Sequence, residues 1–579
     1  MQLRRYIQLT YLTVLIIALW HCANPVTPEG GPKDVKPPKI LSCDPPDQST
    51  GFKGNTIRIE FDEFIVVKNP SSEILISPPV KNTPDYRLRG KSLIIKLDDT
   101  LTANTTYTIN FGKSIADITE NNVLTGLTYV FSTGDHVDSL SLAGHVIGAF
   151  NLKPQKEVFT ILYVDNNDTV PFDSLPLKVP PMFIVRTKEN GEFLFTNLKE
   201  APYKLIALND QNSNLFFDQP SEKVAFLDSL VHPVFIPPVA PDTVAKDTAG
   251  QKSSAKKDTS EVRPPLFPSY EMKLFEEIDS TQRLLRTRIV RDGMILFVLK
   301  YPAKKLRFHP VNIDSASAWK IEEYYPRRDS VVLWMTGKKT DSLIVGVSDN
   351  NTMLDTVKLD LRKKQIKKKT DNKDSTPERL GITCSAKNTS LNQFTSRLEL
   401  AFSYPLSRWD FSRVLLIDEK DTLHPKMELA DSINRKVVVR HKWKEDKQYM
   451  LIIPDSVFYG ISNLTNDSLK QDFRTRSARE FGSLIVTLDI LQRPGNYIIQ
   501  LLSEKESLLE EQFVNASGKI SFRYIQPGKY KIKAILDRNR NKQWDTGNYR
   551  NNLQPEDVFY LPKTIEIRAN WDVEENWKL

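Results

Sequence analysis

Cysteine is almost absent from this chain: Cys22, Cys43 and Cys384 are the only three in 579 residues. Three thiols cannot build the disulfide framework that small exported domains often use. Histidine is scarce as well. The seven residues His21, His136, His145, His232, His309, His424 and His441 show no H-E-x-x-H or other metalloprotease spacing. A Gly-x-Ser-x-Gly elbow, a phosphate-binding loop and a dinucleotide fingerprint are missing too, so no motif supports an enzyme. Past the first 22 residues there is no long helical periodicity. The excess of 80 basic over 72 acidic residues is small, and much of it sits in the run from Arg362 to Lys369. A nucleic-acid face needs basic residues interleaved with aromatics. Here the run leads into Thr370-Asp371-Asn372-Lys373-Asp374-Ser375, so it reads as a solvated linker and no nucleic-acid partner is expected.

What is present begins at the N-terminus. Arg4 and Arg5 precede an apolar run, Leu9 to Trp20. That run is well short of the roughly 20 residues a spanning helix needs, and reads as a short signal helix. Leu19-Trp20-His21-Cys22 follows and resembles the lipobox of bacterial lipoproteins. The resemblance implies a signal peptide over 1–22, lipid on Cys22, and a membrane partner through that anchor. The implied location is the cell envelope, at the outer membrane.

A length of 579 residues exceeds one hydrophobic core and suggests roughly three to five domains. Pro and Gly crowd residues 23–38, a tether, while 239–267 and 362–379 are low-complexity linkers. Between them the pattern is strand-like. Ile57-Arg58-Ile59-Glu60-Phe61 and Leu398-Glu399-Leu400-Ala401-Phe402 alternate apolar and polar residues, the period of a half-buried strand. Cys43 lies 18 residues before Phe61, and Cys384 lies 18 before Phe402. Tyr107 precedes Phe131 by 24 residues, as Tyr449 precedes Phe473. A second repeat is ungapped at an offset of 327. Gly191-x-Phe193-x-Phe195, Tyr203-Lys204-Leu205-x-Ala207 and Asp210-x-Asn212-x-Asn214-x-x-x-Asp218 return as Gly518-x-Ile520-x-Phe522, Tyr530-Lys531-Ile532-x-Ala534 and Asp537-x-Asn539-x-Asn541-x-x-x-Asp545.

The first repeat, with Thr105 to Ile109 and the closing Phe131-Ser132-Thr133, resembles the bacterial Ig-like domain of surface proteins. The second, with Gly144, Asn190-Gly191-Glu192-Phe193 and Tyr203-Lys204-Leu205, resembles the prealbumin-like, carboxypeptidase-regulatory-type domain. The arrangement as a whole is similar to envelope lipoproteins of Bacteroidetes. These resemblances imply an all-β chain of tandem small β-sandwiches joined by flexible linkers. Ig-like domains are expected at 39–135, 268–361 (diverged) and 380–479, and prealbumin-like domains at 136–238 and 480–579.

Four features remain to be weighed for chemistry. Asp62-Glu63 is an adjacent carboxylate pair, but neighbours on a strand face opposite ways, and a strand end is the simpler reading. Trp319, Tyr324, Tyr325, Trp544, Trp571 and Trp577 could form a glycan platform or fill cores. Asp242-Thr243-Val244 and Asp247-Thr248-Ala249 resemble the O-glycosylation sequon of Bacteroidetes periplasmic proteins, which implies glycan on Thr243 or Thr248. Asp210, Asn212, Asn214 and Asp218, with Asp537, Asn539, Asn541 and Asp545, place oxygens at loop positions 1, 3, 5 and 9, as a calcium loop does. Glu222 and Glu556 could complete such a shell. Leu215 and Lys542 stand where that loop has glycine, and an Asx-rich turn capping its own backbone would need the same residues. A structural Ca²⁺ and a plain turn both stay open; no cofactor is otherwise required. The function expected is a non-catalytic envelope scaffold or adhesion protein with an envelope-protein or glycan partner. The alternative is a glycan-binding accessory protein of a polysaccharide uptake system.

Overall fold

The structure is a computed structural model describing residues 34–164, 174–236, 269–278, 281–314, 318–336, 340–362, 379–386, 390–419 and 421–579. The protein is all-β: tandem β-sandwiches arranged in two compact units, one holding most of the chain up to Leu274 and the other most of it from Phe275. No helix among the described residues is long and apolar enough to cross a membrane.

In the first unit, residues 39–135 form two facing sheets. One runs in the order Ile40–Asp44, Thr56–Phe61, Ser92–Lys96, Asp85–Arg89; the other in the order Leu75–Ser77, Thr106–Asn110, Thr128–Ser132. Alternation along Thr56–Phe61 sends Ile57, Ile59 and Phe61 inward, each fully buried. The 24-residue spacing of Tyr107 and Phe131 is a cross-strand register: the two face each other and their rings stack at 5.3 Å. The threonines of the same motif tie the strand ends, since Thr105 N–H donates to Thr133 Oγ1 at 3.0 Å. Thr102 N–H donates to the Tyr107 hydroxyl at 2.8 Å.

The fourth sandwich repeats this in the second unit. Ile382–Cys384, Leu398–Phe402, Lys436–Arg440 and Lys426–Leu429 form one sheet in the same order. Tyr449 faces Phe473, stacked at 5.8 Å, Lys447 N–H donates to Thr475 Oγ1 at 3.0 Å, and Lys444 N–H to the Tyr449 hydroxyl at 3.1 Å. Residues 284–360 show the same strand order in reduced form. One sheet holds Leu284–Arg291, Met294–Leu299, Ser330–Met335 and Lys320–Tyr324, the other Leu306–Pro310, Ser342–Asp349 and Thr352–Asp360. Met294, Val332 and Trp334 leave this sandwich's own core and join that of the fourth. Trp334 is fully buried, edge-on to Tyr404 at 5.7 Å, and its indole N–H donates to Glu323 at 2.9 Å, which also pairs with Arg435.

The second and fifth sandwiches share a different topology. In the second, Leu140–Gly148 lies between Glu192–Leu198, antiparallel, and Ser269–Glu276, parallel. In the fifth, Gly482–Asp489 lies between Gly518–Ile525, antiparallel, and Asp572–Lys578, parallel. This corrects two expected boundaries. Ser269–Glu276 completes the second sandwich, so that domain does not end at 238, and the next does not begin at 268. The stretch 239–267 falls between strands of one domain and is an insertion, not an interdomain linker. The sequence misled because a parallel return strand is non-local: His145 sits opposite Glu271, 126 residues away.

Close strand approach explains Gly144. A Cβ there would lie 2.3 Å from the Tyr270 carbonyl oxygen and 2.5 Å from the Phe193 ring. Gly191 opens the partner strand at φ +79°, a conformation glycine adopts without steric cost. Gly144→Ala is therefore expected to destabilise the second sandwich by about 1–3 kcal/mol, the usual range for overpacking. Hydrogen exchange on the full chain should show lost protection in 269–276 first. Unchanged exchange there would mean that the return strand does not need this contact.

Candidate functional site

The repeated Asp/Asn loops follow the strands Tyr203–Asn209 and Gly528–Leu536, and in each copy the sequence-paired residues converge. Asp210 accepts the main-chain N–H of Asn212, Ser213 and Leu215 at 3.1, 2.7 and 2.7 Å. Asn212 and Asn214 turn their amide nitrogens onto the Asp218 carboxylate, at 3.1 and 2.6 Å. Glu222, fully buried, accepts from the N–H groups of Gln211, Asp218 and Gln219. The second copy matches. Asp537 accepts from Asn541 and Lys542 at 3.2 and 2.9 Å, and Asn539 and Asn541 donate to Asp545 at 2.6 and 2.7 Å. Glu556 accepts from Arg538 and Asp545. Burial pushes the Glu556 carboxyl above its ordinary range, with Asp545 and Asp537 adding to the effect while its two main-chain donors oppose it.

The absent glycine does not prevent the bend. Leu215 and Lys542, at position 6, take φ of +62° and +64°. A non-glycine residue held left-handed in both copies is a conformation the surrounding hydrogen bonds impose. As they stand, the loops are closed by their own side chains in the manner of Asx turns. A cation would require the inward-facing amides to rotate and present oxygen. Among the described residues no group of three or more His, Cys, Asp or Glu is placed to hold a metal ion.

The other candidates separate. Asp62 and Glu63 follow the end of their strand at Phe61; Asp62 accepts the Lys39 N–H at 2.8 Å, and burial and neighbouring Asp117 raise the Glu63 pKa. Of the aromatics, Trp319 and Trp577 are core residues, Tyr324 and Trp544 are half-buried, and Tyr325 and Trp571 are exposed, in different domains. No row of coplanar rings is formed by these six. Cys43 and Cys384 are free thiols on equivalent first strands, half-buried, with burial the main cause raising both pKa values. Cys22, Thr243, Thr248 and the basic run after Arg362 lie outside the described residues. Sequence reasoning singled out neither Arg523 nor Tyr524, two exposed residues of the strand Gly518–Ile525. The available signal was their departure from Thr196 and Asn197 inside an otherwise matching repeat.

Against known proteins, residues 34–133 match a family model described as a bacterial Ig-like domain. The chain is a multi-domain β-sandwich protein with an Ig-like first domain. No curated protein matches it. Among solved structures, the Bacillus anthracis TIE protein is 12% identical, covering 95% of this chain and 76% of its own, at a TM-score of 0.14. The S-layer protein SbsC is 10% identical over 91% and 67%, also at 0.14. The major pilin subunit of Bacillus cereus, BcpA, is 9% identical over 76% and 99%, again at 0.14. Scores this low carry no argument about shape or role.

The hydrogen-bond pattern predicts that Asp537→Ala loosens its loop whether or not calcium is present. Losing a buried carboxylate that accepts two main-chain donors should cost about 2 kcal/mol. Hydrogen exchange over 537–556 in the full chain, in millimolar Ca²⁺ and in chelator, reads this directly. Wild-type protection that depends on calcium and vanishes in the variant would favour the metal-loop reading over the plain turn.

Proposed function

We propose that this chain is a non-catalytic, lipid-anchored envelope protein whose tandem sandwiches act as a scaffold and interaction surface. The observation that carries this reading is the build of the chain: a lipobox-like Leu19-Trp20-His21-Cys22, a Pro/Gly-rich tether, then successive sandwiches. The Ig-like family match at 34–133 supports it. The carboxylates that looked chemical are occupied in a second way, as main-chain caps in Asp/Asn loops and strand ends. Groups spent on holding loops shut are poor candidates for general acid–base work, which needs a convergent, differently tuned pair.

Lipidation decides the anchor. Wild type expressed in a Gram-negative host is expected to incorporate palmitate and fractionate with membranes, while Cys22→Ala does neither and appears in the soluble fraction. Wild type without label would remove the anchor. A second part of the proposal is glycan on Thr243 or Thr248. Intact-mass measurement of protein from its native host should show added hexose that disappears in the Thr243→Ala/Thr248→Ala double variant; a bare mass would remove this part alone.

A further inference from the structure

We infer that the fifth sandwich carries a binding site for an acidic oligosaccharide at the start of its first strand, Gly482–Asp489. This names a ligand class for the interaction surface proposed above and rests on that reading. A groove of about 370 Å³ lies there, lined by Tyr524, Trp571, Arg479, Arg523, Asn570 and Asp572. Both rings reach solvent, Trp571 at 58% and Tyr524 at 37% exposure.

The internal duplication separates what the fold needs from what has been added. In both prealbumin-like sandwiches the strand before the repeated Tyr-Lys motif has a register shift opposite the start of the first strand. At this bulge Asn197 takes φ +59° and Tyr524 takes φ +55°. Asparagine is among the residues that tolerate that conformation, and Asn197 uses its side chain structurally, donating to the Asp138 carbonyl at 3.0 Å. A tyrosine there is disfavoured and supplies no such bond. What it supplies is an exposed ring, held by stacking on Phe394 at 4.2 Å and 7°. The bulge also sends Arg523 and Tyr524 outward together, where a regular strand would turn one inward. Thr196 and Asn197 of the sister copy offer neither charge nor ring.

The opposite wall is built by close packing. A Cβ on Gly482 would lie 2.5 Å from the Arg568 carbonyl oxygen and 2.9 Å from that of Trp571, so glycine lets the 568–571 turn cross directly over the strand. Ser483 N–H donates to the Trp571 carbonyl at 2.9 Å, and the Ser483 hydroxyl donates to Asp572. Sheet order places Gly482–Asp489 between the strand that carries Tyr524 and the strand that Trp571 leads into. With strands about 4.8 Å apart, the two walls stand roughly 10 Å from each other, room for two or three sugar rings.

The chemistry points to an acidic glycan. Trp and Tyr offer apolar faces with polar tips, suited to the C–H faces of a pyranose. Arg479 and Arg523 are exposed and make no ion pair among the described residues, leaving two planar forks for carboxylates. Asp572 and Asn570 can meet hydroxyls.

The test titrates trigalacturonate into the full-length chain in detergent by calorimetry, beside neutral maltotriose and hexaglutamate. Expected are saturable trigalacturonate binding, at least tenfold weaker maltotriose, and little hexaglutamate binding. Trp571→Ala and Arg523→Ala should each weaken trigalacturonate at least tenfold. Tyr524→Asn, which installs the sister copy's residue and so suits the bulge, should do the same. No binding, wild-type affinity in Trp571→Ala and Tyr524→Asn, or hexaglutamate equal to trigalacturonate would overturn the site. Loss in Trp571→Ala with no loss in Arg523→Ala would overturn its acidic specificity. Palmitate labelling and fractionation are read independently, so failure here does not imply failure of the anchor.

Discussion

The parallel return strand governs the second and fifth sandwiches. Their first strand, Leu140–Gly148 or Gly482–Asp489, is flanked on one side by the strand Glu192–Leu198 or Gly518–Ile525 and on the other by the last strand of the domain. Each sheet has an apolar face to bury, and only the last strand finishes covering it. In the fifth sandwich Trp577 on that strand joins the core with Leu484, Val486 and Leu488. In the second, Met272 and Leu274 do the same beside Leu142 and Val146. Parallel pairing demands a long crossover, and this has two consequences here. Residues 239–267 can be inserted before the last strand without dividing the domain. Glycine is needed where backbones meet most closely, at Gly144 in one copy and Gly482 in the other.

The first and fourth sandwiches are closed differently, by local ties repeated at an offset of 342. Tyr107 and Tyr449 each stack on the phenylalanine opposite and receive a main-chain N–H five residues upstream. Thr133 and Thr475 each hold the start of the neighbouring strand. A tyrosine that fills the core and caps a loop does two jobs with one side chain, which explains why the motif survives in both copies of this chain. The reduced sandwich at 284–360 lacks this pair. It compensates by sharing: Met294, Val332 and Trp334 are buried in the fourth sandwich's core, with Arg435 and Glu323 paired beside the indole.

Duplicate domains also work as internal controls. Both Asp/Asn loops keep the same carboxylate-to-backbone bonds, so those residues belong to the fold of the loop. At the bulge the copies part, Asn197 against Tyr524 on the same left-handed backbone. A shared conformation carrying different side chains is where a gained role can be separated from a structural one.

The sequence by itself determined the β class, the two repeat families and their internal register. Those depend on short-range alternation and on spacings such as Tyr107 to Phe131, which adjacent antiparallel strands translate directly into contacts. It also brought the Asp/Asn loops together correctly, because every partner but the closing glutamate lies within nine residues. Only the tertiary structure decided where the second domain ends, since the Gly144–Tyr270 pairing spans 126 residues across a low-complexity stretch. It alone decided that Leu215 and Lys542 bend as a glycine would, because their main-chain hydrogen bonds to Asp210 and Asp537 outweigh the local steric preference. The groove at Gly482 is the clearest case: Arg479, Tyr524 and Trp571 come from three separate segments, and only a strand returning parallel to the first puts them on one surface.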